Sequence, residues 1–351
     1  MGPVLQEIGQ RGQFGRLVVD LCPADSRPSD AALTEIGFPL PDHVIAPGCG
    51  SPGERTARVL RAFDELVERT APAVVLIAGD SDATLGCALT AAKRSVPVAR
   101  LEAGLRSWDW GSREEVNRVL ADRLGDALFV DSLDARENLL AEGVGPTRVH
   151  YVGNTMVDWL RAADAGARVR RTRLGLGLKR GEYVLVVLRR RATLDGPGRS
   201  ARLHQALGRL AARVPVVLPA NPRTAEASAS PARPWPPRGL HSVPPLGFLD
   251  YLSLAADAGA VVTDAGSIQE ETSALGVPCF TLRSATERRV TLTHGTNVLL
   301  GDDPTDLDAV TLRSPDPAPA GIPRWDGRSA GRVAEILVAN FALQGGAGFG
   351  A

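Results

Sequence analysis

The chain has 351 residues, more than a single ordinary core organises, so two domains are expected. Hydrophobic residues make up 44% of it, enough for a globular interior, and 40 basic residues balance 40 acidic ones. Zero net charge excludes a global field that would recruit nucleic acid or an acidic membrane surface, while leaving room for local sites that hold a phosphorylated ligand.

In chain order, short apolar runs alternate with amphipathic segments. R-L-V-V-D-L, A-V-V-L-I-A, V-P-V-A-R-L and A-L-F-V read as buried strands, and residues 54–70, 83–94 and 113–123 between them carry helical periodicity. That alternation predicts βαβ units and a parallel sheet covered on both faces. After G-N-T at 153–155 a helix is expected over 156–170, and the pattern then restarts with Y-V-L-V-V-L, V-P-V-V-L-P, A-V-V-T-D and V-P-C-F-T-L. The expected organisation is one domain over 1–155 and a second over 156–327. A terminal helix near 328–343 would pack back on the first domain, and a Gly-rich tail over 344–351 would be flexible. Residues 224–240, rich in Pro and Ala, read as a loop.

Cys22, Cys49, Cys87 and Cys279 are scattered without C-x-x-C spacing, which argues against a zinc site or a disulfide framework, and Cys87 and Cys279 sit in core-like runs. No apolar stretch is long enough to span a bilayer and no signal-peptide pattern is visible, so the expected location is the cytoplasm.

Two doubly wound domains imply a ligand cleft between them, beyond the carboxyl ends of the strands. Three stretches fall at such ends. A-G-D-S-D-A-T places Asp80 after a strand, where it either serves chemistry or caps the next helix, a role open to Ser81 and Asp82 as well. R-L-E-A-G-L-R-S-W-D-W-G-S-R-E-E-V-N-R holds four carboxylates. Glu114 and Glu115 fit the first turn of a helix and its macrodipole, but Glu102 at the end of an apolar strand must be partnered or functional. Carboxylates facing one another there could divide general acid and base work. V-V-T-D-A-G-S-I-Q-E-E-T places Gly266 and Ser267 at a helix start, where backbone N–H groups can hold an anion or simply form a cap, with Arg283, Arg288 and Arg289 after the next strand.

These stretches, with G-N-T-M-V-D, R-S-A-T-E-R-R-V and G-T-N, resemble in order and spacing the non-hydrolysing UDP-N-acetylglucosamine 2-epimerases, over about residues 3 to 341. The resemblance implies an α/β, GT-B-like fold, two Rossmann-type domains with a nucleotide-sugar between them. It implies removal of the sugar C2 proton, expulsion of UDP and its re-addition with the opposite C2 configuration, without a nicotinamide or metal cofactor. By motif match it assigns Asp80, Glu102 and Glu114 to proton transfer, leaving open which acid takes which proton. It points to Glu271 as the ribose ligand and to Gly266 with Ser267 as the pyrophosphate cradle. Arg288 would be a further diphosphate or sugar contact, and Tyr251 an aromatic neighbour of the uracil. A UDP-sugar is the implied ligand and a homodimer the implied assembly.

The chain departs from the family pattern at several places. Arg189 stands where the family has a catalytic His; it can clamp the charge of departing UDP but cannot titrate near neutral pH. Asn221, Ala265 and Val290 replace a His, a Ser and a Glu of that pattern. The sequence begins M-G-P-V-L-Q-E-I, which resembles the family's helix just after its opening strand and G-T-R-P-E loop. Either that strand lies upstream or the first sheet lacks a central strand. These changes fit a specialised relative. Two other outcomes stay open: an enzyme that hydrolyses or transfers from the UDP-sugar, and a non-catalytic protein that binds nucleotide or an epimerase partner.

Overall fold

The structure, a computed structural model, describes residues 1–22, 30–35, 37–189, 198–220, 239–313 and 321–342. Asn221, the 224–240 loop up to residue 238 and the Gly-rich tail lie outside these residues. The chain divides into two compact units, Met1–Trp159 with the segment from Pro323, and Leu160–Ile322. The helix Thr155–Arg170 begins in the first and ends in the second.

In the first unit the strands are β1 (Val19–Asp20), β2 (His43–Val44), β3 (Val75–Ile77), β4 (Val98–Arg100), β5 (Ala127–Val130) and β6 (Val149–Tyr151). All pairings are parallel, and among the described residues they form two sheets, β1-β2 and β3-β4-β5-β6. Helices Pro52–Thr70 and Asp82–Lys93 cover one face through Val59, Phe63, Leu66, Cys87 and Ala88, packed on Val75, Ile77 and Val98. On another side, Val4 and Ile8 of helix Gly2–Arg11 meet Val333, Leu337 and Phe341, which recur every four residues along helix Ser329–Phe341.

The G-N-T-M-V-D stretch serves this packing. The Asp158 carboxylate accepts from the N–H groups of Ser329 and Ala330 at 3.2 and 2.6 Å, satisfying two donors that the start of a helix otherwise leaves unpaired. Asn154 Oδ1 accepts from the Met156 N–H at 2.8 Å. Gly153 has φ +89°, and a Cβ there would lie 2.0 Å from the Arg324 carbonyl oxygen, so only glycine fits.

The second unit carries one parallel six-stranded sheet in the order β12-β11-β10-β7-β8-β9, built from β7 (Val184–Val187), β8 (Val216–Pro219), β9 (Leu240–Val243), β10 (Ala260–Thr263), β11 (Cys279–Thr281) and β12 (Asn297–Leu299). Alternate residues of a strand serve opposite faces. Val184 and Val186 pack with Leu203, Leu207 and Leu210 of helix Arg199–Ala211, while Leu185 packs with Tyr251, Leu254 and Ile268. Covered on both faces, the interior strands β7, β8, β10 and β11 lie in apolar runs of the sequence. The chain winds from β7 outward to β9, then returns to place β10 on the other side of β7. The switch point of this sheet is therefore between β7 and β10, where doubly wound sheets open a crevice for ligands.

Candidate active site

Asp80 and Glu102 follow the neighbouring strands β3 and β4 at their carboxyl ends. Ser81 caps helix Asp82–Lys93 by accepting from the Thr84 N–H at 3.1 Å, so the cap role falls to Ser81. The Asp80 carboxylate instead lies 2.5 Å from Arg118 Nη1, and its carbonyl accepts from Asn117 Nδ2 at 2.9 Å. The Asp82 carboxyl meets Asn117 and Arg55; burial works to raise it, but these bonds and the arginine charges hold it below the usual range.

Glu102 stands two residues beyond the end of β4, with φ +56°. Its neighbours are fastened on both sides: the Leu101 N–H donates to the Ile77 carbonyl at 2.9 Å and the Ala103 N–H to the Phe129 carbonyl at 3.1 Å. The left-handed backbone of a half-buried glutamate is costly and persists because adjacent strands hold it.

The two adjacent glutamates have different surroundings. Glu114 is half-buried and accepts from Ser112 Oγ at 2.7 Å. Glu115 is fully buried; it accepts from the Ser107 N–H and hydroxyl, from the Trp108 N–H, and from Arg118 Nε and Nη2, all between 2.7 and 3.1 Å. Burial alone would raise its carboxyl, but these donors outweigh it and hold the group below its ordinary value.

Beneath the loop lies a buried ionic frame. Asp122, 1% exposed, pairs with Arg100 Nε at 2.6 Å and Arg106 Nη1 at 2.7 Å and accepts from the Gly104 N–H at 3.0 Å. Arg106 forks onto Glu142 at 2.7 and 2.8 Å, and Arg100 Nη1 donates to the Gly79 carbonyl at 3.0 Å, next to Asp80. The charged 100–118 stretch is thus largely an interior framework, with Asp80, Glu102 and Glu114 as its partly exposed acids. The pairings run across 16 to 38 residues of sequence, which is why residue types alone did not disclose Arg100, Arg118 or Asp122 as partners.

The stretches that the resemblance assigns to the nucleotide lie in the second unit, at its switch point. The Arg189 N–H, just past β7, donates to Asp264 Oδ1 at 2.7 Å, just past β10, and the Arg189 side chain is exposed. Helix Gly266–Leu275 starts from Ala265, which has no side-chain acceptor for its first N–H groups, and Gly266 and Ser267 are half-buried. A Cβ at Gly266 would come 2.5 Å from Glu287 Oε1 and 3.1 Å from Arg288 Nε, so the turn is packed close by the T-E-R segment. Arg288 lies 3.3 Å from Glu270, and Arg283 Nη2 donates to Glu287 at 2.8 Å; both arginines are buried. Arg289 is exposed.

Gln269 Oε1 accepts from Thr286 Oγ1 at 2.7 Å and Asn297 Nδ2 at 2.9 Å, joining the Q-E-E, T-E-R and G-T-N stretches in one polar network. The Tyr251 hydroxyl donates to Glu271 Oε2 at 2.7 Å, with both side chains buried. Burial raises the Glu271 carboxyl, against the Tyr251 bond and the Arg189 charge. Burial, then the Glu271 charge, raises the Tyr251 phenol.

The family model described as UDP-N-acetylglucosamine 2-epimerase matches residues 18–338. A UDP-N-acetylglucosamine 2-epimerase of Methanococcus maripaludis is 33% identical over 282 residues, 78% of this chain and 77% of that one. A UDP-2,3-diacetamido-2,3-dideoxy-D-glucuronate 2-epimerase of Pseudomonas aeruginosa is 34% identical over 280 residues, 79% of this chain and 77% of its own. The crystal structure of the Methanocaldococcus jannaschii UDP-GlcNAc 2-epimerase, in complex with UDP-GlcNAc and UDP, superposes with a TM-score of 0.82 at 27% identity, covering 96% of this chain and 95% of that one. The fold is α/β and GT-B-like, as the motifs implied. With its model spanning most of the sequence, the chain belongs to the UDP-N-acetylglucosamine 2-epimerase family.

Proposed function

We propose that the protein is a nucleotide-sugar 2-epimerase that interconverts UDP-GlcNAc and UDP-ManNAc or a closely related UDP-sugar. A carboxylate among Asp80, Glu102 and Glu114 takes the C2 proton as the C1–O bond to UDP breaks, leaving a C1–C2 double bond. UDP then returns to C1 while a carboxylic acid delivers a proton to the opposite face of C2. Arg189 clamps the charge of departing UDP without exchanging protons. Gly266 and Ser267 cradle the diphosphate, Glu271 binds the ribose, Tyr251 lies toward the uracil and Arg288 adds a phosphate or sugar contact.

The observation that carries this reading is Glu102 in its left-handed conformation, with Asp80 at the end of the adjacent strand and Glu114 opening the next helix. Stored backbone strain of this kind concentrates where a side chain must be aimed. The altered phosphate shell and the diacetamido-glucuronate substrate in the name of one relative support a specialised pathway. The protein works in the cytoplasm as a homodimer.

Product analysis tests the proposal. Incubation with UDP-GlcNAc should yield UDP-ManNAc by NMR. Free N-acetylmannosamine with UDP would make the protein a hydrolase, and nucleotide binding by calorimetry without any product would make it a non-catalytic binder.

A further inference from the structure

We infer that Arg118, held in place by Glu115, is the positioning residue of the carboxylate site: it sets where the Asp80 carboxylate stands. The inference rests on the reading of Asp80 as catalytic. Arg118 is buried, with its side chain 5% exposed, and each of its three guanidinium nitrogens has a partner. Nη1 reaches Asp80 at 2.5 Å, Nε and Nη2 reach Glu115 at 3.1 and 2.7 Å, and Nη2 lies 3.3 Å from Ser107 Oγ.

Glu115 accepts from five donors, four at Oε2 and the Trp108 N–H at Oε1. Its full burial keeps it from the ligand. Its anchors are the N–H groups of Ser107 and Trp108, in the loop whose ends carry Glu102 and Glu114. Trp108, like Glu102, has a positive φ, +60°. A continuous chain of bonds therefore runs from the loop backbone through Glu115 and Arg118 to the partly exposed Asp80. The shape of the loop and the position of Asp80 are set together. Lysine, a single point charge on a flexible stem, could not reproduce three directed contacts.

The test is steady-state kinetics of the full chain with UDP-GlcNAc, comparing wild type, Asp80→Asn, Arg118→Met, Arg118→Lys and the Asp80→Asn/Arg118→Met double variant. Arg118→Met should lower kcat about 100-fold, the scale expected of an ångström's misplacement, with KM within a few-fold. Arg118→Lys, which keeps the buried charge and tests the fork if the Met variant does not fold, should lose about tenfold and so recover part of the rate. The double variant should be no slower than Asp80→Asn alone, because an arginine acting through Asp80 has nothing left to position. An Arg118→Lys rate equal to wild type, or a double variant whose loss is the product of the single losses, overturns the inference. A wild type with no turnover, or an Asp80→Asn variant as fast as wild type, overturns instead the catalytic role of Asp80 on which it rests.

Discussion

The Tyr251 hydroxyl donates to a Glu271 carboxylate that burial has raised above its ordinary value near 4.5. A group whose folded pKa is raised binds more protons folded than unfolded. Its contribution to stability is greatest below the unfolded value and is lost as pH rises through the folded one. Glu271 thus costs the ligand-free protein stability as pH rises toward neutral.

Glu271→Gln should therefore gain stability relative to wild type as pH rises from 4 to 8, read as the difference in thermal midpoint at each pH. UDP affinity by calorimetry should fall about tenfold, the loss of one charged hydrogen bond. A midpoint difference independent of pH, or unchanged UDP affinity, would contradict the assignment.

Asp122 and Asp64 each face an arginine at 2.6 Å, but Asp122 is 1% exposed and Asp64 is 46% exposed. Asp122→Asn leaves Arg100 and Arg106 buried with less counter-charge, and breaking a buried pair this way costs about 3–5 kcal/mol. Urea unfolding should show that loss for Asp122→Asn and no measurable change for Asp64→Asn. Equal effects would mean that the ionic frame beneath the loop does not support the fold.

Glu102 offers the reverse test. Glycine accepts φ +56° without the roughly 1 kcal/mol strain of a side chain, and loses about as much through the freedom of its unfolded chain. Glu102→Gly should unfold within about 1 kcal/mol of wild type while turnover disappears. A loss of stability above about 2 kcal/mol would assign the Glu102 side chain a structural rather than a chemical role.

The interior strands are all disclosed by the sequence, and every strand it conceals lies at an edge among the described residues. The interior strands β4, β5, β7, β8, β10 and β11 are apolar runs because helices cover both faces. The sequence leaves β2, β6, β9 and β12 unmarked, all of them edges among the described residues, although the edge strands β1 and β3 do lie in apolar runs. His43–Val44 has only two residues, both exposed; Val149–Tyr151 carries His150, and Leu240–Val243 carries an exposed His and Ser, so no apolar run marks them. The runs that were read also shorten in the structure, R-L-V-V-D-L to Val19–Asp20 among them.

The candidate site divides in a similar way. The positions of Asp80 and Glu102 past strand ends and of Glu114 at a helix start are legible because such places leave local signatures, while the assignment of these acids to proton transfer comes from the motif match. The different surroundings of Glu114 and Glu115 are not legible there, because they depend on Arg118, Ser107 and Trp108, which only the folded loop brings to Glu115. Asp158, in one of the stretches that carry the family resemblance, holds the start of a helix 171 residues away in sequence.

The most direct measurement is the fate of the sugar C2 hydrogen. Purified protein incubated with UDP-GlcNAc in D2O, followed by NMR, should show deuterium entering at C2 as UDP-ManNAc forms, and Glu102→Gln should abolish both. Turnover with the C2 proton fully retained, or no exchange with wild type at all, would contradict deprotonation by the Asp80, Glu102 and Glu114 carboxylates.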